Sequence, residues 1–165
     1  MNSKMLYIAG LISSILPETR CFGLKRWLYS KAGVEIGLNV RICSSAMIIG
    51  SGRLSIGDNT WVGHRCLISS SSEIKIGANC DIAPNVYIGT GTHAITPDDV
   101  KIGGKELSAD VCIGAGCWIC ANSVILPGVT LGDKCIVAAG SVVKQSYDGF
   151  SIIAGIPANL KKSLK

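Results

Sequence analysis

The chain has 165 residues, which suits one domain with a sizeable core. Hydrophobic residues make up 48% of it and charged residues only 16%, and this balance excludes a disordered chain. The formal net charge of +5 permits an anionic partner, but the basic residues form no dense run and no nucleic-acid-reading motif is present, so we expect no nucleic-acid partner.

Two helices are predicted in residues 1–33, ahead of the regular part of the chain. Apolar residues from Met5 to Leu16 favour a first helix ended by Pro17, and Leu24 to Leu28 favour a second. The first stretch is shorter than the roughly 20 residues of a spanning helix and lacks the cleavage site of a signal peptide. We predict a helical cap over the repeat in a cytoplasmic protein. An interfacial helix that touches the inner face of the membrane is the alternative.

A six-residue repeat runs through residues 34–146 and is the strongest signal in the sequence. Aliphatic residues recur in steps of six, with steps of eight after the first two triplets and a gap after the third. A helical period cannot produce this spacing. The fifteen marked positions are Ile36, Ile42, Ile48, Ile56, Val62, Ile68, Ile76, Ile82, Ile88, Ile113, Ile119, Ile125, Leu131, Val137 and Val143.

The residues between the marked positions predict a short strand and a tight turn in each hexapeptide. Gly often follows the marked residue, and Asn or Gly stands three residues after it at nine of the fifteen positions. Both residue types tolerate left-handed backbone angles. Three hexapeptides then form one triangular coil of about 18 residues, and the coils stack. The fold class is therefore predicted as all-β, a parallel β-helix of hexapeptide repeats.

Most of the eight cysteines fit the same frame. Cys66, Cys80, Cys117 and Cys135 each lie two residues before a marked aliphatic residue, at a tight inward position. The pair Cys117 and Cys120 has redox or zinc spacing, but no second pair accompanies it at metal spacing. We therefore favour packing over chemistry for these cysteines, as reduced thiols in a cytosolic compartment.

Two segments depart from the repeat. Residues 92–112 form a long excursion, and a long loop leaving a regular solenoid is usually functional. Residues 147–165 are a C-terminal extension that ends in a basic sequence containing Lys161, Lys162 and Lys165. We predict a loop for the first segment and a short basic helix for the second.

Several motifs together resemble the hexapeptide-repeat acyltransferases, and in particular the maltose and galactoside acetyltransferases and the O-acetyltransferases of surface polysaccharides. The match extends from residue 34 to about residue 162. The motifs are the isoleucine-rich hexapeptides, Ile-Ala-Pro-Asn-Val (82–86), Thr-Gly-Thr-His (90–93), Asn-Ser-Val-Ile-Leu-Pro-Gly-Val-Thr-Leu-Gly-Asp (122–133), Ala-Ala-Gly-Ser-Val-Val (138–143) and Ala-Gly-Ile-Pro-Ala (154–158).

The resemblance implies a left-handed β-helix, although the usual crossover preference is right-handed. It also implies a homotrimer with active sites between subunits, acetyl-CoA as the donor, and no metal. The expected reaction is acetyl transfer to a sugar hydroxyl in the synthesis of a capsule or lipopolysaccharide.

The resemblance assigns catalysis to His93, which stands where the repeat opens into residues 92–112. Histidine accepts a proton readily near neutral pH, so it suits a general base that deprotonates an acceptor hydroxyl. The backbone amide of Ala121 matches the family's donor to the developing negative charge, and Trp118 matches a tryptophan that lines the site.

Other positions also have expected roles. Ala139, Lys144 and Lys162 lie at or beside family positions that contact CoA, where a lysine would neutralise phosphate. The family often has Thr and then Lys at positions 144 and 145, whereas this chain has Lys144 and then Gln145. Asn85 fits a substrate-binding motif and also a turn. His64, the second histidine, falls at an outward corner.

Other functions stay open at this stage. The alternative acceptors are an amino group of a nucleotide-linked sugar, and serine. A γ-type carbonic anhydrase shares the fold but needs three histidines around zinc, and the chain has two. A purely structural solenoid is disfavoured by the histidine at the loop and by the motifs of the CoA-binding end.

Overall fold

The computed structural model describes residues 1–165, and the repeat forms a left-handed parallel β-helix as predicted. Three parallel sheets form its sides, and each coil adds one strand to each sheet. Sheet one contains β1 (Glu35–Ile36), β4 (Arg53–Ile56), β7 (Glu73–Ile76), β12 (Val111–Ile113) and β15 (Thr130–Leu131). Sheet three contains β3 (Met47–Gly50), β6 (Leu67–Ser70), β9 (Tyr87–Gly89), β14 (Val124–Ile125) and β17 (Val142–Val143).

Sheet two is the longest side and runs past the last full coil. Its strands are β2 (Arg41–Ile42), β5 (Trp61–Val62), β8 (Asp81–Ile82), β13 (Trp118–Ile119), β16 (Ile136–Val137), β18 (Ser151–Gly155) and β19 (Ala158–Ser163). The first six pair in parallel, whereas β19 folds back antiparallel on β18. Sheet two therefore ends in a hairpin.

The predicted aliphatic positions form the core. Fourteen of the fifteen marked residues are buried, and only Ile36 in the first coil is partly exposed. A fully buried Ile, Leu or Val side chain contributes about 1.5–3 kcal/mol, so this column supplies most of the stabilisation of the coils.

The predicted turns are also present. Five asparagines adopt left-handed backbone angles at the corners, with φ from 56° to 61°: Asn39, Asn59, Asn79, Asn85 and Asn122. Arg65 and Lys134 occupy the same conformation, although their side chains give no sign of it in the sequence.

The corner between sheets three and one varies in length from coil to coil. The two-residue additions after β3 and β6 lie at this corner in the first two coils. In the third coil the same corner opens into an antiparallel hairpin, β10 (Gly91–Ile95) and β11 (Gly103–Ser108). The predicted loop at residues 92–112 is thus an ordered hairpin that leaves the scaffold at one corner.

The two helices predicted for the N-terminal segment are present as α1 (Ser3–Ser14) and α2 (Phe22–Lys31). Leu6 and Ala9 of α1 and Tyr29 of α2 join the same core as the first coil. Most other apolar side chains of α1 are exposed, among them Tyr7, Ile8 and Leu11. Neither helix is long and apolar enough to cross a membrane.

The C-terminal helix predicted for residues 147–165 is wrong, because these residues form the hairpin of β18 and β19. Ile152 and Ile153 pair in register with Ile136 and Val137 of the coil below, and Ile153 is fully buried. Ser151 to Ile153 thus continue the sheet for one more coil, and the basic residues follow on the exposed outer strand.

The cysteines are all free, and most are packed inside the β-helix as predicted. Cys80, Cys117 and Cys135 stack on consecutive coils. Each thiol donates to a backbone carbonyl at a corner of the next coil, over 3.1 to 3.3 Å. Burial raises the pKa of the Cys135 thiol, which suits a structural role.

Candidate active site

His93 lies on the exposed first strand of the excursion hairpin, directly across from Glu106 on the second strand. Its Nδ1 atom is 3.1 Å from the carbonyl oxygen of Gly104. Because a carbonyl oxygen only accepts hydrogen bonds, this contact places the proton of a neutral imidazole on Nδ1. The lone pair of Nε2 is then free to accept a proton.

A polar cleft of about 500 Å³ opens beside this histidine. Residues paired directly across an antiparallel ladder present their side chains on one face, so Glu106 lies on the face of the hairpin that carries His93. Hydroxyl groups form much of the remaining wall. The lining residues are Ser51, Ser71, Gly91, Thr92, His93, Glu106, Leu107 and Ser108.

The other predicted site residues lie along a different edge of the β-helix. Trp118 is on sheet two with 52% of its surface exposed, and Ala121 and Ala139 are at the corner between sheets two and three. The hairpin of His93 leaves the corner between sheets three and one. Within one chain, sheet three therefore separates His93 from these residues.

The corner between sheets two and three offers a free backbone donor at Ala121. The amide of Gly140 donates to the Ala121 carbonyl over 2.9 Å, which stacks this turn on the turn that contains Ala139. The Ala121 amide itself donates to no protein group. Lys144 and Lys162 are exposed near the end of the β-helix, on the segment after β17 and on β19.

Asn85 occupies a turn position, with φ of 61°. Its Oδ1 atom accepts a hydrogen bond from Arg65 Nε over 3.0 Å. The side chain therefore has a partner within the protein, and the backbone angle alone accounts for an asparagine here.

A second cluster of reactive groups was missed by the sequence analysis. His64 Nδ1 lies 3.8 Å from Cys43 Sγ, and His64 Nε2 lies 3.8 Å from a carboxylate oxygen of Glu18. Burial, together with the nearby Glu18 carboxylate, raises the pKa of the Cys43 thiol to about 11 and outweighs the opposite effect of Lys25. The buried thiol is thus protonated at neutral pH and does not suit a nucleophile. Glu18 comes from the segment between the helices, so no local motif connects it to His64.

Comparison with known proteins identifies the family. The model of the bacterial transferase hexapeptide, described as six repeats, matches residues 110–145, and that of the hexapeptide repeat of succinyl-transferase matches residues 53–90. An Escherichia coli protein assigned to colanic acid biosynthesis as an acetyltransferase, WcaF, is 34% identical over 138 residues, covering 82% of this chain and 74% of its own length. The galactoside O-acetyltransferase of Escherichia coli is 31% identical over 67% of this chain and 54% of its own.

Solved structures agree on the fold. A galactoside acetyltransferase in complex with coenzyme A superposes with a TM-score of 0.81 at 22% identity, over 99% of this chain and 80% of that one. The fold and the relatives together define an acyl-transferring enzyme, and the chain belongs to the hexapeptide-repeat acetyltransferase family.

Proposed function

We propose that the chain transfers an acetyl group from acetyl-CoA to a hydroxyl group of a sugar, in the synthesis of a surface polysaccharide. The observation that carries the proposal is the state of His93: its Nδ1 is held by the Gly104 carbonyl, its Nε2 is free, and the polar cleft lies beside it. Relatives assigned to colanic acid biosynthesis and to galactoside O-acetylation support a carbohydrate acceptor.

In this mechanism His93 is the general base. Nε2 accepts the proton of the acceptor hydroxyl as the oxygen attacks the acyl carbon, and the Gly104 carbonyl stabilises the positive charge that the ring acquires. The same proton is then available to the departing sulfur, so the imidazole ends the reaction neutral. Direct transfer needs no nucleophilic side chain.

The predicted residues at the corner between sheets two and three suit the binding of acetyl-CoA. Acetyl-CoA supplies the acyl group as an activated thioester. The free amide of Ala121 suits a donor to the carbonyl oxygen as negative charge develops on it. Trp118 and Ala139 offer surface beside that amide. Lys144 and Lys162 offer exposed positive charge for phosphates, with Lys144 one position ahead of the lysine in the family pattern.

A homotrimer completes the site in this proposal. Sheet three separates His93 from Trp118 and Ala121 within one chain. In a trimer, the hairpin that carries His93 in one subunit would instead meet Trp118 and Ala121 of the neighbouring subunit. Asn85 lies on the same edge as Ala121 and would face the acceptor from there. Analytical ultracentrifugation should give a mass of three chains, and a monomer with full activity would contradict this arrangement.

An acceptor screen tests the function. We expect free CoA to appear when the protein is mixed with acetyl-CoA and a suitable neutral sugar or oligosaccharide. Chromatographic separation of CoA from acetyl-CoA is the appropriate readout, since the exposed Cys21 would react with thiol reagents. Amino sugars linked to nucleotides, and serine, belong in the same screen. If only a nucleotide-linked amino sugar or only serine were acetylated, that acceptor would replace the sugar hydroxyl in the proposal.

Glu106 supplies a more specific prediction about the acceptor. Its carboxylate is the one acidic group of the cleft and can accept hydrogen bonds from sugar hydroxyls. We expect Glu106→Gln to raise the KM for the acceptor by about 10-fold or more, since a hydrogen bond to a charged group contributes roughly 1.5–3 kcal/mol. The KM for acetyl-CoA should not change. The control is Lys105→Gln, one residue away on the opposite face of the strand, and an equal effect of both changes would contradict the assignment.

Contact with a membrane is a further part of the proposal and would place the enzyme at the inner face of the cytoplasmic membrane. The exposed apolar side chains here include Tyr7 and Ile8 of α1 and Ile15 directly after it, and residues 1–33 carry more Lys and Arg than Glu. We expect partial flotation with vesicles that contain anionic lipid. The double substitution Ile8→Asn and Ile15→Asn should abolish it without touching the buried face of α1. Equal flotation of both proteins would contradict the contact.

A further inference from the structure

The Glu18–Cys43–His64 cluster joins three separate parts of the chain. Glu18 lies between α1 and α2, Cys43 directly follows β2, and His64 lies in the corner after β5. The imidazole stands between the other two groups, at 3.8 Å from each. One potential metal-binding atom from each residue lies within 4.8 Å of the other two.

The carboxylate of Glu18 is held in place by the β-helix. The amide of Ser45 donates to both of its oxygens, over 3.3 and 3.2 Å, and the Ser45 hydroxyl donates to one of them. The backbone is fixed as well, because the amide of Ser44 donates to the Glu18 carbonyl over 3.2 Å. Two of the three groups, Glu18 and the fully buried Cys43, are thus already ordered.

This set of atoms has the chemistry of a zinc site. Sulfur, imidazole nitrogen and carboxylate oxygen are all zinc ligands, whereas calcium and magnesium prefer oxygen alone. Bond lengths of about 2.0–2.3 Å in a tetrahedral site place ligand atoms roughly 3.3–3.7 Å apart. The two 3.8 Å contacts use different ring nitrogens of His64, and one zinc ion binds only one of them. For a single nitrogen the three ligand atoms lie within 4.8 Å of one another, so binding requires side-chain shifts of roughly 1–1.5 Å. The surface opening at Glu18, Ser45, His64, Arg65 and Pro84 leaves a fourth position for water.

The charges around the cluster are compatible with a divalent cation. The carboxylate of Glu18 and a Cys43 thiolate together balance the two charges of zinc. The nearest buried cation is Lys25, whose ammonium group is fully buried and donates to the carbonyls of Pro17, Glu18 and Ile42. Those carbonyls hold the Lys25 ammonium, which forms no salt bridge with the Glu18 carboxylate. The carboxylate accepts hydrogen bonds only from Ser45, and its remaining lone pairs can bind a metal.

We propose that Glu18, Cys43 and His64 bind one zinc ion, with water as the fourth ligand. Binding displaces the proton of the Cys43 thiol to solvent and forms the zinc–sulfur bond. The ion fastens the segment between the two N-terminal helices to the first two coils. It takes no part in acetyl transfer, so the proposal is independent of the function of His93.

Cobalt provides the direct test on the full-length protein after treatment with a chelator. We expect one Co²⁺ per chain, with a thiolate-to-cobalt charge-transfer band in the near ultraviolet and intense visible bands of a four-coordinate ion. Stoichiometric zinc should displace the cobalt and raise the unfolding temperature. No charge-transfer band and no uptake of one equivalent of zinc would overturn the proposal.

Four single variants locate the ion. Cys43→Ser should abolish the charge-transfer band, and His64→Ala and Glu18→Gln should each weaken zinc binding by about 100-fold or more, since even supporting residues of metal sites contribute 10–100-fold. The matched control is Cys21→Ser, which removes the exposed thiol near Glu18 and should leave the band intact. If Cys43→Ser does not fold, zinc binding by His64→Ala and Glu18→Gln decides whether the site is correct. A band that disappears only in Cys21→Ser would place the metal elsewhere and overturn the proposal.

Discussion

Replacing His93 with alanine should lower acetyl transfer by about 10²–10⁴-fold, the usual contribution of a general base. The loss should appear mainly in kcat, because the hydroxyl is deprotonated during attack and not during binding. His93→Asn is a useful second variant, since its amide can still donate to the Gly104 carbonyl but cannot accept the proton of the acceptor. Both variants should therefore be similarly inactive.

The control for His93 lies on the same hairpin. Asp98 is exposed near the tip, and Asp98→Asn keeps the size and shape of the side chain. It should retain wild-type kcat. A His93→Ala enzyme that keeps a rate within about 3-fold of wild type would remove the general base from the mechanism, and the cleft would then need another explanation.

Gly77→Ala should destabilise the fold by about 3 kcal/mol, at the upper end of the usual cost of overpacking. Gly77 is one of five glycines stacked at the corner between sheets one and two: Gly37, Gly57, Gly77, Gly114 and Gly132. A Cβ atom at position 77 would lie 2.6 Å from the backbone nitrogen of Ala115 in the next coil. Backbone in a stacked coil cannot move aside without breaking the ladder. The lack of a side chain, and not an unusual φ, is what this position requires.

Urea unfolding at a fixed protein concentration measures this effect. Gly10→Ala is the matched control, because a Cβ atom there has nothing within 4 Å and the residue is within α1. Alanine should stabilise that helix by about 0.5–1 kcal/mol. If Gly77→Ala lost less than about 1 kcal/mol, the coils would be able to separate more freely than their backbone contacts indicate.

The sequence was most informative where the chain repeats. The six-residue spacing predicted the strands and core because each coil meets the same neighbours above and below, so one local pattern determines many contacts. Lys134 shows the limit of the turn signal, since its left-handed angle is imposed by the stacked coils and not by its own side chain. The lysines after Asn159 suggest a basic helix, but Ile153 continues sheet two and the lysines follow on its antiparallel outer strand.

The candidate site was predictable only in part. The interruption of the repeat located His93, but the Gly104 carbonyl and Glu106 are brought to it by antiparallel pairing, which has no periodic signal. Glu18 and His64 come together through the packing of the helical segment on the first coils. The spacing of residues in the sequence does not predict such a contact. The roles of all the predicted site residues stay predictions: His93, Asn85, Trp118, Ala121, Ala139, Lys144 and Lys162.

The corner between sheets three and one has a consequence for how such enzymes diversify. Two coils carry a two-residue addition there and the third carries the whole hairpin, yet the strands on either side keep their register from β6 to β9 and from β7 to β12. Segment length at this corner is therefore uncoupled from the stacking of the coils. Exchanging the hairpin for one of different length and sequence should alter which acceptor is chosen, while the β-helix beneath it folds as before. This corner is therefore the natural graft point for redesigned specificity.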